Sequence, residues 1–214
     1  MKMSVFTEQM KEKFDEGYAR SMRFPGLLLT SFENEFGSSV LEKAESIVPK
    51  EKRSGWLAAE QEQERTAAYG EKLYFEITLL EQLRSEFGDS VMDVLRKTVA
   101  QDETDAWQTI AENESSHTLD DFIRLLWEPL PYLGFETQIE KKETAIHAFC
   151  FRCPIHEASK LLGGSDWLYE LACGRDFHNT AAFNPEITLT REKTLMQGDE
   201  HCEFIYDMKR VKNS

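Results

Sequence analysis

The residue types that can do chemistry gather in the last third of this 214-residue chain, where Cys150, Cys153, Cys173 and Cys202 all lie. A thiol acts as nucleophile or metal ligand in its thiolate form, so its surroundings decide what it can do. Cys153 stands directly before Pro154, and proline is favoured at the first position of a helix. Its sulfur is therefore expected near a helix N-terminus, where the positive end of the macrodipole favours thiolate. The competing reading is a small, half-buried capping residue. Cys173 and Asp176 are spaced i, i+3, on one helix face. A thiol and a carboxylate so placed can act on one substrate, the carboxylate holding a water or a protonated ring nitrogen. They fit equally a core cysteine and a loop-capping aspartate. His178 follows two residues on, where a helix is expected to end, and is a candidate third member or a capping residue. Arg191 lies between Leu189 and Lys193 in a strand-like stretch. A guanidinium there can clamp a substrate carboxylate through two parallel hydrogen bonds, or it can belong to a solvated strand face. His201 and Cys202 are neighbours, so on a strand they face opposite ways. Cys202 is the better candidate because it shares a face with Phe204 and Tyr206.

Cys150 and Cys153 spell Cys-x-x-Cys, but Cys150 falls inside a predicted strand, where residues three apart point to opposite faces. A thioredoxin-like centre or a zinc knuckle is thus disfavoured, since no second such pair exists. No disulfide is expected between these two, and all four thiols are expected free. A metal held by Cys153, Cys173 and Cys202 is an open alternative. No other cofactor is expected.

These residues need elements to position them. After Gly134 the pattern alternates: Phe135 to Lys141 and Thr144 to Arg152 read as strands. In the second, Ile146, Ala148 and Cys150 share one face and His147, Phe149 and Phe151 the other. Pro154 to Leu162 reads as a short helix stopped by Gly163-Gly164. Ser165 then caps a second helix, DWLYELACGRDF. Asn184-Pro185 marks a turn. Ile187 to Met196 and His201 to Met208 flank Gly198-Asp199 as a hairpin. The order strand, strand, helix, helix, strand, strand predicts an α+β domain with a mostly antiparallel sheet.

The first half reads as helical. Two segments, beginning at Phe32 and Leu83, are similar at an offset of 51 residues: Phe36-Gly37 matches Phe87-Gly88, Val48 matches Val99, and Trp56 matches Trp107. Each reads as helix, Gly stop, helix, with Ser38 and Asp89 where an N-cap belongs. Thr118 with Asp121 resembles a capping box, and Pro129 and Pro131 end that helix. The expected division is therefore a helical region over 1–131 carrying a two-copy repeat, and an α+β domain over 132–214.

A hydrophobic fraction of 41% with 30% charged residues can bury a core. The net charge of −14 repels phosphate backbones and anionic lipid. Nucleic acid and membrane are therefore not expected as partners. The longest apolar run, Gly26 to Leu29, is far too short to span a bilayer. The N-terminal MKMSVFTEQMKEKFDEG lacks an apolar signal core and suits an amphipathic helix, so a cytoplasmic protein with reduced thiols is expected.

The stretch AFCFRCPIHEASKLLGG, then ELACGRDFHNTAAFNPEITLTREKTLMQGDEHCEFIY, resembles the L-2-amino-thiazoline-4-carboxylic acid (ATC) hydrolase family. The resemblance rests on Cys153-Pro154 opening a helix, Cys173 with Asp176, and the Asn184-Pro185 turn. Arg191 with Thr194-Leu195, Gly198-Asp199, and Cys202 with Phe204 complete it. It covers roughly residues 120 to 208, the helical half matching less well. It implies hydrolysis of a small cyclic amidine acid at its C=N bond, the aminothiazoline opening to N-carbamoyl-L-cysteine. In that reading Arg191 binds the carboxylate and Asp176 is the general base or orients water. Cys173 or Cys153 is the nucleophile or a polarising group, and His178, Asn184, Thr194 and Cys202 line the substrate. A non-catalytic binding or sensory domain, akin to 4-vinyl-reductase-type domains, is the alternative. An interaction module is the third.

Overall fold

A computed structural model describes residues 8–209; the first seven residues of the expected N-terminal helix lie outside it. Compactness divides the chain into Met1–Val94 and Leu95–Ser214.

The first unit is helical. Helix α1 (Glu8–Phe36) is followed by α2 (Ser39–Ile47), α3 (Lys50–Gly55), a 3-10 turn at Trp56–Ala58 and α4 (Glu62–Phe87). Gly37 and Gly88 end α1 and α4 with φ of 87° and 68°, a region open to glycine at little cost. Their N–H groups bond Glu33 O at 2.8 Å and Arg84 O at 2.9 Å. The rings just before them, Phe36 and Phe87, stack at 4.4 Å. Ser38 occupies the N-cap position of α2 but makes no capping bond, because its backbone is already helical (φ −67°, ψ −16°). Helix α4 buries Lys72 and Glu76 among its apolar side chains. Their ion pair spans 2.9 Å, one helical turn apart.

The second unit holds the rest of α5 (Ser90–Glu112), then α6 (Leu119–Leu126), β1 (Glu136–Lys141), β2 (Ala145–Arg152), α7 (Pro154–Leu162), α8 (Ser165–Leu168), α9 (Arg175–Phe183), β3 (Ile187–Lys193) and β4 (Cys202–Met208). The strands form an antiparallel sheet in the order β1-β2-β4-β3, so the fold class is α+β, as the alternation predicts. The Thr118–Asp121 capping box is present: Asp121 N–H bonds Thr118 Oγ1 at 3.2 Å, and Thr118 N–H bonds Asp121 Oδ2 at 3.1 Å. Among the described residues no helix is long and apolar enough to cross a membrane.

One sheet face makes the core. Ile146, Ala148, Cys150, Cys202, Phe204 and Tyr206 are buried on it, on the alternation read from the sequence. The ring of Phe122 meets Tyr206 at 5.4 Å and Trp127 meets Phe204 at 4.8 Å. That packing moves the boundary. Strands do begin just after Gly134, yet α5 from Leu95 and all of α6 belong to the sheet unit, because Trp107, Phe122 and Trp127 complete its core. Strand β3 also stops earlier than the pattern suggests: Leu195–Gln197 is a 3-10 turn capped by Thr194.

Candidate functional site

The expected single helix DWLYELACGRDF is three pieces. Helix α8 passes into a π-helical turn at Tyr169–Cys173, and α9 begins at Arg175. Wide turns of this kind leave backbone carbonyls with altered partners and are frequent at functional sites. Gly174 permits the junction: a Cβ there would lie 2.9 Å from Glu170 O. Helix α9 runs on to Phe183, so His178 sits inside the helix rather than at its end.

Two arginines take up carbonyls of the π-turn. Arg175 Nε donates to Leu171 O at 2.7 Å, and Arg191 Nη1 donates to Cys173 O at 2.7 Å. Arg191 reaches the turn because it lies on the core side of β3, where the β3–β4 register shifts between Thr190 and Lys193. Its Nη1 also bonds the Asp176 carboxylate, and its Nη2 donates to Tyr169 Oη at 3.1 Å. The rings of Phe177, Phe204 and Tyr169 surround the guanidinium at 4.8, 5.4 and 5.5 Å, close enough for cation–π attraction. Only 1% of the Arg191 side chain is exposed, against 21% for Asp176. Arg191 Nε is buried without an acceptor in the protein.

Arg175 carries a second layer of charge. Its Nη1 bonds Asp102 at 2.6 Å and Glu103 at 2.7 Å, and Trp107 Nε1 donates to the other Glu103 oxygen at 2.9 Å. Asp176 therefore has Arg191 in contact and the Arg175–Glu103 pair nearby. Burial pushes its carboxyl up to about 7; Arg191 and Arg175 pull it down, and Glu103 adds to the rise. A carboxyl that titrates near neutrality can both take and give a proton in one reaction cycle.

The thiols differ from one another. Burial pushes Cys173 well up, reinforced by Asp176, so it is a neutral thiol rather than a standing thiolate. Cys153 is at the N-cap of α7 as predicted. Burial raises its pKa more than the N–H groups of His156 and Ile155 lower it, so the expected activation by the helix terminus is outweighed. Cys202 alone is shifted down, by the neighbouring Cys150 thiol and by Leu195 N–H, 3.3 Å from its sulfur. All four cysteines are free. Among the described residues, no three His, Cys, Asp or Glu side chains gather so as to hold a metal ion, so the geometry lends no support to a Cys153–Cys173–Cys202 metal site.

The expected residues thus sort into two groups. Cys173, Asp176 and Arg191 meet in one place, with Cys202 and Cys153 near enough to act on Cys173 by charge. Asn184, Thr194 and His178 do not join. Asn184 bonds His117 O at 2.7 Å and Glu186 N at 2.8 Å, fixing the turn. Thr194 caps the 3-10 turn. His178, two residues from Asp176, projects about 200° round α9. Sequence reasoning missed Tyr169, Arg175, Glu103 and Gly174. The adjacent charges Arg175-Asp176 after Gly174 were the available signal, but Glu103 lies over seventy residues earlier in the chain.

The family model described as L-2-amino-thiazoline-4-carboxylic acid hydrolase matches residues 67–206, well over half the chain. No curated protein matches the chain. Among solved structures, the chain is similar to an H-NOX protein from S. oneidensis, a mutant in the Fe(II) ligation state. The identity is 11% and the TM-score 0.54, covering 90% of this chain and 97% of that one. A likeness at that identity shows the fold alone.

Proposed function

The chain belongs to the L-2-amino-thiazoline-4-carboxylic acid hydrolase family, and from that premise we propose that it hydrolyses a small cyclic amidine acid at its C=N bond, with Asp176 as the proton-transferring group. The observation that supports this most is the placement of Asp176: a carboxyl titrating near 7, held by a buried arginine and flanked by the neutral thiol of Cys173.

For an aminothiazoline acid the steps balance in this way. Asp176, as carboxylate, takes a proton from water while the water oxygen bonds the amidine carbon. The C=N electron pair moves to the ring nitrogen, which receives that proton from Asp176. The new hydroxyl then becomes a carbonyl as the carbon–sulfur bond breaks, and its proton passes to the departing sulfur. The product is an N-carbamoyl amino acid with a free thiol. Cys173 and Cys202 border this chemistry as a neutral thiol and the more acidic one. Arg191 does not offer an open two-pronged clamp, since Asp176, Cys173 O and Tyr169 already use its Nη groups. These contacts leave two of its five donors, the second Nη2–H and the buried Nε–H.

The test is incubation of the purified protein with L-2-amino-thiazoline-4-carboxylate, following thiol release by a chromogenic reagent and the product by mass spectrometry. Protein-dependent thiol release is expected, and its absence at high protein concentration rejects this substrate. Binding by calorimetry without turnover would favour the second reading, a non-catalytic binding domain. The engagement of both Arg191 Nη groups by Asp176, Cys173 O and Tyr169 is the observation on that side.

A further inference from the structure

Cys150 and Cys202 are direct cross-strand partners in the β2–β4 ladder. Both project to the core face and are buried, with 5% and 7% of their surface exposed. Opposed residues of antiparallel strands have Cα atoms about 4.5–5.5 Å apart, inside the roughly 4.4–6.8 Å that a disulfide spans. Side chains on the same face of such a pair point the same way, so the two sulfurs approach one another, and each thiol acts on the titration of the other, while the Cys150 Sγ–H itself donates to Arg152 O at 3.2 Å. Cys153, three residues beyond Cys150, has left the strand and caps α7. The sequence motif Cys-x-x-Cys therefore misidentifies the pair: the neighbour of Cys150 is 52 positions away, not three.

We propose that Cys150 and Cys202 are an oxidisable dithiol that a small hydroperoxide converts into a cross-strand disulfide. The Cys202 sulfur is the first to react. It accepts Leu195 N–H at 3.3 Å, which favours its thiolate, whereas the Cys150 thiol donates to Arg152 O at 3.2 Å and is raised by the neighbouring Cys202 and by burial. The Cys202 thiolate attacks the distal peroxide oxygen, the O–O bond breaks, and alkoxide or hydroxide leaves and takes a proton. Cys202 is then a sulfenic acid. The Cys150 thiol loses its proton and its sulfur bonds the Cys202 sulfur, expelling hydroxide, which takes that proton as water. Two thiols lose two electrons in total and the peroxide gains them. With hydrogen peroxide the products are one disulfide and two waters. Neither step needs a metal, and both strands are already in register, so the backbone need not rearrange.

The Cys202 thiol lies close enough to Asp176 and Arg191 to feel their charges. Closing the disulfide removes that thiol from beside them. Any effect on turnover rests on the hydrolase reading; the disulfide itself does not.

The experiment uses the full chain, treated under native conditions with hydrogen peroxide, blocked with N-ethylmaleimide and digested without reduction. Peptide mapping is expected to find Cys150 joined to Cys202, with Cys153 and Cys173 alkylated and two of the four thiols lost. Cys153→Ser is expected to keep the cross-link, whereas Cys150→Ser and Cys202→Ser each abolish it. A cross-link running through Cys153 or Cys173 overturns the assignment. So does survival of all four thiols at a peroxide dose that oxidises a free cysteine peptide. Because the mapping reads bonds and not turnover, a protein that fails to hydrolyse aminothiazoline can still pass it.

Discussion

Two ion pairs, Lys72–Glu76 in the first compact unit and Asp176–Arg191 in the second, are built in opposite ways. Lys72 and Glu76 sit one turn apart on the same helix, 7% and 0% exposed, with the rings of Tyr69 and Phe24 at 5.5 and 6.0 Å from the ammonium. Asp176 and Arg191 come from a helix and a strand, and each has further business: Arg191 with the π-turn carbonyl of Cys173 and with Tyr169, Asp176 with the thiol of Cys173. The first pair is local and closed in on itself. The second depends on tertiary structure and has a partly exposed carboxylate. A buried charge pair by itself therefore says little about function. What separates the two is the set of reactive neighbours that the fold brings to one of them.

The largest effect expected from breaking this contrast is on turnover. Asp176→Asn should lower kcat by about a hundred- to ten-thousand-fold, the range for removing a general acid–base, with a much smaller change in KM. In the unaltered protein, base catalysis needs the carboxylate form, so kcat/KM should rise with pH through about 7. The stability term runs the other way. The folded carboxyl is raised above its unfolded value near 4, so its neutral form favours folding at low pH and that contribution is lost as pH rises from about 4 to 7. Urea denaturation across that window, compared with Asp176→Asn, checks the sign. A pH–rate profile flat through 7 would remove Asp176 from the proton transfer.

The next effect is on folding of the first unit. Glu76→Leu strands a buried ammonium and should cost about 3–5 kcal/mol. The double change Lys72→Met with Glu76→Leu should bring stability back to within about 1 kcal/mol of the starting protein or above it. Denaturant midpoints measure both. If the same rescue at Asp176 and Arg191 returned stability and activity together, the distinction between the two pairs would collapse.

The smallest expected effects come from two glycines. Gly174→Ala places a methyl against the Glu170 carbonyl and should cost about 1–3 kcal/mol, with a loss of turnover because the π-turn carries Cys173. Gly70 lies inside α4, where an added methyl would meet nothing within 4 Å. It should take alanine with a gain of about 0.5–1 kcal/mol. Thermal melts of the two variants should shift in opposite directions.

Parts of the site were legible because their signals are short-range. Cys173 and Asp176 could be paired from spacing, and Asn184-Pro185 does return the chain so that β3 runs beside α9, bringing Arg191 to Asp176. Pro154 marked the start of α7. Other features were not legible because they answer to neighbours distant in the chain. Nothing local says that Arg191 would arrive with its Nη groups already occupied. Nor does anything local say that Glu103 would meet Arg175 across 72 positions, or that Cys150 would face Cys202 rather than Cys153.

The sequence by itself determined the α+β class, the strand faces, the glycine stops at 37 and 88 and the family, since periodicity, turn chemistry and motif order are properties of neighbouring residues. Tertiary structure alone decided where the sheet unit begins, that Cys202 is the thiol that accepts Leu195 N–H, and that Asp176 titrates near neutrality. The unit boundary follows from which aromatic side chains fill the core. A pKa follows from desolvation set against the charges that packing brings within reach, and those charges come here from α5, α9 and β3 together.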